Sequence, residues 1–332
     1  MTRYDVYGLG NALLDVECEV EPEVLVELGI DKGVMTLLDE ASQDKILARL
    51  GNAASKRTCG GSGANTIVAV SQFGGKTFYS CKVAKDEPGE YYLQDLLKSG
   101  VDTNLKSHPP EVGITGKCLV FVTPDADRSM NTFLGISASL SDIELVPEAI
   151  ANSTYTYIEG YLVTGESSQQ AAIKAREIAS HAGQKVALTL SDQNMAKFFK
   201  PGLLEMLGGG VDLLFANDSE AFEMAGTQDL TTAIEYLKTI SKTFALTLGA
   251  KGSLIFDGQT LLEIAPYPVK AIDTVGAGDM YAGGVLYGIT NGMDWATAGR
   301  LGSLASSQLV TIPGARMDTT DLQSLLQQVK DI

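Results

Sequence analysis

The run Asp273-Thr-Val-Gly-Ala-Gly-Asp279 stands directly before an apolar, helix-forming stretch, Met280-Tyr-Ala-Gly-Gly-Val-Leu-Tyr-Gly-Ile289. Three small residues, Gly276, Ala277 and Gly278, leave backbone N–H groups bare at the start of a helix. There the first amide donors have no intrahelical partner and the helix dipole favours anions. Such a turn suits phosphate oxygens and the charge that develops when a phosphoryl group is transferred. Asp279 falls in the first helical turn, from which a carboxylate can reach a hydroxyl held in front of the same amides. A first-turn acid is also common for structural reasons, because the dipole stabilises it. The run therefore gains its meaning from the rest of the chain.

Two other nucleotide-binding turns are excluded. No GxxxxGK[ST] string occurs. A GxGxxG fingerprint fails at Gly8-Leu-Gly10 and again at Gly276-Ala-Gly278, since each lacks the third glycine.

Composition narrows the chemistry further. With 332 residues, 45% hydrophobic and 20% charged, the chain can build one large domain and a small appendage. A net charge of -16 repels the phosphates of DNA and RNA, so no nucleic-acid partner is expected. A small polyanion needs only a local site of backbone amides and a cation or two. Cys18, Cys59, Cys81 and Cys118 form no CxxC pair, and only His108 and His181 could join them, so no structural zinc is expected. Lone thiols, an N-terminus (Met-Thr-Arg-Tyr-Asp-Val) without an apolar leader, and no run of membrane-spanning length point to a cytoplasmic protein without a membrane partner. His108 sits in a turn beside Pro109-Pro110, and His181 ends a helical segment where its charge suits the dipole. Acid–base work then falls to a carboxylate, a Lys or a Tyr.

Apolar runs and breakers predict strands at 4–9, 76–83, 155–158, 185–190, 213–216, 243–248, 253–256 and 261–264. Helices are predicted at 62–73, 90–99, 168–181, 232–241, 277–291 and 295–309, the last two closing the chain. This alternation argues for an α/β fold with a mostly parallel sheet flanked by helices. Segments 16–20 and 34–38, with acidic residues interleaved, and a hairpin at 114–122 and 128–134 stand outside it and predict a separate small β-sheet lid. The expected division is a large domain of residues 1–12, 40–110 and 136–332, and a lid of 13–39 and 111–135.

The whole pattern Asp-Thr-Val-Gly-Ala-Gly-Asp-x-x-x-Gly-Gly resembles the C-terminal signature of the ribokinase/PfkB family of sugar and nucleoside kinases. The resemblance covers nearly the full chain, because further stretches fall in the family's order. It implies a ribokinase-like fold, ATP and Mg2+, with Asp279 as base and the amides of Gly276, Ala277 and Gly278 as the anion hole. Gly60-Gly61-Ser62-Gly63-Ala64-Asn65 resembles the N-terminal signature, in which the glycines and Asn65 meet the acceptor; Ile67 replaces the small residue usual in sugar kinases, as it does in adenosine kinases. Gly8-Leu-Gly-Asn11-Ala-Leu-Leu-Asp15 looks like the adenosine kinase form, which would set Asp15 and Asn11 on a pair of ribose hydroxyls. Asn217-Asp-Ser-Glu220 resembles the Asn-x-x-Glu motif that organises metal and phosphates, Glu220 acting through metal-bound water. It also reads as a capping box at a helix start. Thr247-Leu-Gly249-Ala-Lys-Gly252 resembles the nucleotide-binding turn, and Ser306 to Ala315 the wall beside the adenine of ATP. Ser303 stands where many relatives have Asn or His. Asp273 and the loop after Val310 leave a monovalent cation open.

Three features favour a nucleoside acceptor: the Asn11–Asp15 spacing; Tyr161, in Ile158-Glu-Gly-Tyr-Leu-Val-Thr164, as a ring to stack on a purine; and Arg128-Ser-Met-Asn131, resembling an Arg that closes over the transferring phosphate, with Asn131 beside it. The alternatives are a kinase acting on ribose, fructose or a related sugar, and a non-catalytic sugar-binding protein on the same fold. Monomer and homodimer both stay open.

Overall fold

A chain that alternates buried strands with amphipathic helices must cover both faces of a parallel sheet, and the computed structural model has this form. It describes residues 3–32, 35–51, 54–124 and 128–330, and leaves out the side chains of 54–56, 128 and 330. In chain order the strands are β1 (Tyr4–Leu9), β2 (Leu13–Glu19), β3 (Met35–Leu37), β4 (Ala54–Gly60), β5 (Thr77–Ser80), β6 (Asp102–Thr103) and β7 (Thr115–Val122). They continue with β8 (Arg128–Gly135), β9 (Ser153–Glu159), β10 (Lys185–Thr189), β11 (Val211–Asn217), β12 (Ser241–Thr247), β13 (Ser253–Phe256) and β14 (Leu261–Ile264).

The larger sheet has the order β14-β13-β12-β11-β10-β9-β1-β5-β6. It is parallel from β6 to β12 and antiparallel only at β13 and β14. From β9 the chain steps outward through β10, β11 and β12, whereas from β1 it steps the other way through β5. The direction of winding thus reverses between β1 and β9, and in open α/β sheets ligands bind outside the carboxyl ends of the strands at such a switch point.

Strand periodicity sorts the core. On β1, Val6 joins a cluster with the helices Ser62–Gln72, Ala277–Thr290, Trp295–Leu309 and Thr319–Lys330. Its neighbours Tyr7 and Leu9 join the cluster on the opposite face, with the helices Glu166–His181, Lys200–Leu207 and Leu230–Ile240. A Cβ at Gly283 would collide with the Ala69 side chain and the Thr66 carbonyl. This close approach lets helix Ala277–Thr290 lie directly on helix Ser62–Gln72 and brings their N-termini together.

The small sheet has the order β3-β8-β7-β2-β4. Residues 40–50 and 54–60, expected in the large domain, belong with it. β4 pairs antiparallel with β2, and Ile46 of helix Glu40–Leu50 packs with Val16, Cys18, Leu25, Leu119 and Phe121 in the lid's own core. Further elements lie beyond the sequence reading: helices Pro22–Leu28, Pro147–Ala151, Gln193–Phe198 and Lys200–Leu207, strand β6, and helix Thr319–Lys330, which follows the two expected last helices. β5 is shorter than expected, ending at Ser80. Val34 and the tip of the expected hairpin at 125–127 lie outside the described residues. Among the described residues no helix is long and apolar enough to cross a membrane.

Candidate active site

Asn11 just past β1, Glu159 ending β9, Thr189 ending β10, Asn217 ending β11 and Thr247 ending β12 all line one cavity of about 330 Å3 at the switch point. The small sheet roofs it with Leu13 and Asp15 from β2, Cys118 and Val120 from β7, Met130, Thr132 and Leu134 from β8, and Met35 and Leu37 from β3.

At the floor, helix Ala277–Thr290 begins at Gly276, whose φ of 75° is left-handed. A Cβ there would run into Ala315, so the turn and the C-terminal segment fit only around a glycine. No side chain caps this helix. The Ala277 amide donates to the Thr274 carbonyl at 3.3 Å, which leaves the amides of Gly278 and Asp279 for a ligand, and Gly276, Ala277 and Gly278 all line the cavity. A Cβ at Gly278 would point into open space, which is the room a phosphate group needs.

Asp279 lies in the same turn. Its Oδ1 accepts from Ser62 Oγ at 2.6 Å and its Oδ2 from Asn65 Nδ2 at 3.1 Å. Burial raises the proton affinity of the carboxyl, while the bonds from Ser62 and Asn65 and the charge of Arg316 lower it. Each oxygen keeps a second lone pair for an acceptor proton. Asn65 Oδ1 in turn accepts from Arg316 Nε at 2.8 Å, and Arg316 Nη1 lies 2.5 Å from Asp95 Oδ2.

Glu159 is a functional candidate beyond the sequence reading. It is 1% exposed, and it accepts from Asn11 Nδ2 at 3.0 Å and from the Gly63 amide at 2.8 Å. Burial pushes its carboxyl up to about 7, against those bonds and with some help from the Asp279 charge. Ser191 also lines the cavity and, among the described residues, is the non-glycine with positive φ, at 71°. Its Oγ accepts from the Gly160 amide at 2.9 Å, next to Tyr161. Strain of that kind persists where surrounding contacts dictate it.

Most of the expected residues meet here: Asn11, Asp15, Gly61, Ser62, Asn65, Tyr161, Asn217, Glu220, Thr247 and Gly276 to Asp279 all line the cavity. Gly60 sits just outside the lining, where a Cβ would run into the Asp15 carboxylate. Asn217 and Glu220 form the capping box of helix Asp218–Ala225. Both Glu220 oxygens accept from Asn217, and burial, together with Asp192, Asp218 and Asp279, raises its carboxyl to about 7.

Four expected residues are placed elsewhere. Asn131 pairs with Leu119 across β7 and β8. Opposite residues share a face, and Leu119 belongs to the lid's own core, so Asn131 turns away from the cavity that Met130 and Thr132 line. Gly249 and Gly252 lie in the turn past β12, outside the lining. Ser303 is buried in helix Trp295–Leu309, while Ser306 of that helix donates to the Ala277 carbonyl at 2.9 Å. The Arg128 side chain lies outside the described residues.

Among the described residues no three His, Cys, Asp or Glu side chains gather to hold a metal ion. A magnesium ion bound mostly by phosphates and water, with one carboxylate nearby, fits this donor set better than a protein cage would. A half-buried carboxylate beside uncapped helix amides, under an apolar roof, is equipped to take a proton from a hydroxyl while anionic oxygens are held in front of it.

Known proteins share this fold. The crystal structure of an adenosine kinase from Sinorhizobium meliloti is 34% identical and superposes with a TM-score of 0.90 over 98% of this chain and 99% of that one. A protein from Rhizobium etli CFN 42, described as a "probable sugar kinase protein", is 32% identical, with a TM-score of 0.92 over the whole of both chains. A 5-dehydro-2-deoxygluconokinase from Clostridium beijerinckii is 25% identical over 295 residues, 83% of this chain and 85% of that one. The pfkB family of carbohydrate kinases matches residues 39–321. The chain belongs to that family, and is a phosphotransferase with a hydroxyl group as acceptor.

Proposed function

We propose that the chain transfers the γ-phosphate of ATP to the 5′-hydroxyl of a purine ribonucleoside, adenosine above all. The observation that carries this reading is the character of the cavity. Asp15 and Asn11 supply polar groups for vicinal hydroxyls at one end, while Leu13, Met35, Leu37, Val120, Met130 and Leu134 make an apolar roof. A free sugar carries hydroxyls on every face and would leave that roof without an apolar partner. A nucleoside presents a flat base to it, with Tyr161 in the same lining. A sugar acid fits less well. The described lining holds Asp15, Glu159, Glu220 and Asp279 and no Lys, Arg or His to meet a carboxylate.

In the transfer, Asp279 takes the proton of the acceptor hydroxyl as the new oxygen–phosphorus bond forms and the bridging bond to ADP breaks. Ser62 and Asn65, both donors to Asp279, hold the carboxylate as an acceptor. The amides of Gly278 and Asp279, in the uncapped first turn, meet the charge on the transferred group. The family implies use of ATP. Magnesium, when bound, neutralises phosphate charge; Glu220 is the residue of this chain that would hold it, through water. Asn217 fixes the orientation of Glu220 from both sides of the capping box.

The test is kcat/KM for adenosine, inosine, guanosine, ribose and fructose with ATP and magnesium under one set of conditions. Adenosine is expected to lead. Ribose or fructose ahead of every nucleoside would overturn the acceptor assignment and leave the kinase family untouched.

A further inference from the structure

We propose that Arg316 is a positioning residue for phosphoryl transfer, fixing the Asn65 amide so that its NH2 group, not its oxygen, faces Asp279. The proposal rests on Asp279 as the base. A guanidinium has only donors. Arg316 Nε lies 2.8 Å from Asn65 Oδ1, which assigns the oxygen to that side and leaves Nδ2 3.1 Å from Asp279 Oδ2. Without this donor the amide is free to turn over and set its oxygen against the carboxylate, acceptor against acceptor.

Asp95, from helix Glu87–Lys98, pins the fork through Nη1. The Nη2 atom is buried and makes no hydrogen bond, so these two contacts define where the guanidinium sits. The backbone reinforces the arrangement: Ala315, the preceding residue, is the one that abuts Gly276 at the start of the catalytic helix. One short segment therefore closes the anion-hole turn and aims a cation at the amide beside the base. The titratable groups that interact with Asp279 are Arg316, Glu159, Glu220, Tyr157 and Tyr161. The carboxyls and phenols add negative charge when ionised, and Arg316 supplies the opposing positive charge.

A purely structural role, tying the C-terminal segment to helix Glu87–Lys98, is the competing account, and the two separate in a pH profile. Arg316→Gln and Arg316→Lys are to be compared with wild type and with Asp279→Asn. The readouts are kcat against pH, KM for ATP and the unfolding midpoint, using the best acceptor of the panel above. Arg316→Gln is expected to lower kcat about tenfold with KM for ATP unchanged, and to move the acid limb of kcat up by about one pH unit. Arg316→Lys keeps the charge and the pairing with Asp95 but loses the second directed donor; it is expected to fold as wild type, with kcat reduced and a smaller shift of the limb. Guanidinium ion added to Arg316→Ala is expected to restore part of kcat. If both variants lower only the unfolding midpoint, or if Arg316→Lys matches wild type in kcat and limb, the proposal is overturned while a dead Asp279→Asn keeps the base assignment. Wild-type turnover in Asp279→Asn overturns both.

Discussion

Replacing Glu159 by Gln isolates the weight of a carboxyl buried in the cleft. Glu159 is 1% exposed, with one oxygen on Asn11 Nδ2 and the other on the Gly63 amide. It titrates at about 7 in the folded chain against 4.5 for an exposed glutamate, with burial as the main cause. Between those values the folded state holds a proton that the unfolded state has released. Stability therefore falls as pH rises from 4.5 to about 7 and stays low above it. At about 1.4 kcal/mol per pH unit, the gap corresponds to about 3 kcal/mol. Gln does not ionise. Its oxygen can accept from Gly63 N–H, and its NH2 faces Asn11, whose amide turns over to present its own oxygen. The variant is expected to be more stable than wild type by about 2–3 kcal/mol near pH 8 and equal or slightly less stable near pH 5. Urea unfolding of both proteins across this range, with the same slope required of each, measures the difference. Glu220, raised to about 7 by its own burial, is present in both proteins and cancels. A stability difference that stays flat from acid to alkaline pH would refute the reasoning.

Asp279→Asn should lower kcat by roughly 10²–10⁴-fold with an unchanged unfolding midpoint; turnover like wild type contradicts the role of base. Gly276→Ala should destabilise the chain by about 1–3 kcal/mol, because φ is left-handed there and the methyl group meets Ala315. An unshifted urea midpoint would count against the tight turn. Asp15→Ala and the substrate change to 2′-deoxyadenosine should each lose about 1–3 kcal/mol of transition-state binding through unpaired hydrogen-bonding groups, read as kcat/KM; equal values for adenosine and its deoxy form remove Asp15 from the ribose. Glu220→Gln should raise the magnesium concentration for half-maximal activity, and a superimposable titration would take Glu220 out of the metal's reach.

The strand–helix alternation and the strand ends that line the cleft were legible because their signals are local. An apolar strand that runs into a polar turn marks its own carboxyl end, and Leu213 to Ala216 before Asn217-Asp-Ser-Glu220 does so within eight residues. Such ends gather at the switch point without any further information. The lid was less legible. Ala54-Ser-Lys-Arg-Thr-Cys-Gly60 is polar along much of its length, because β4 is an edge strand of a small sheet, and nothing in it alternates clearly enough to read as a strand. On β8 the extended conformation was readable, but not which side chains face inward. That parity is set by register, through the pairing of Asn131 with Leu119.

The residues around the base show where local reading ends in principle. Glu159 closes a buried strand, at an end where a carboxylate ordinarily reaches solvent; its partners there are Asn11 and Gly63, 148 and 96 residues away. Arg316 follows Ile312-Pro-Gly-Ala315 in a loop, where a lone cation is unremarkable, and its partners Asp95 and Asn65 lie 221 and 251 residues back. Neither residue has a pattern at helix or strand spacing, since the partner that gives it a role is supplied by tertiary packing. Motifs identify the groups that touch the reacting atoms, because those groups must sit on a turn of fixed shape. The groups that hold them in place need only a partner within hydrogen-bond reach, and any segment the fold brings near can supply it. A mutational survey guided by motifs alone would pass over Arg316, which is why its pH profile is the sharper probe of how Asp279 is held.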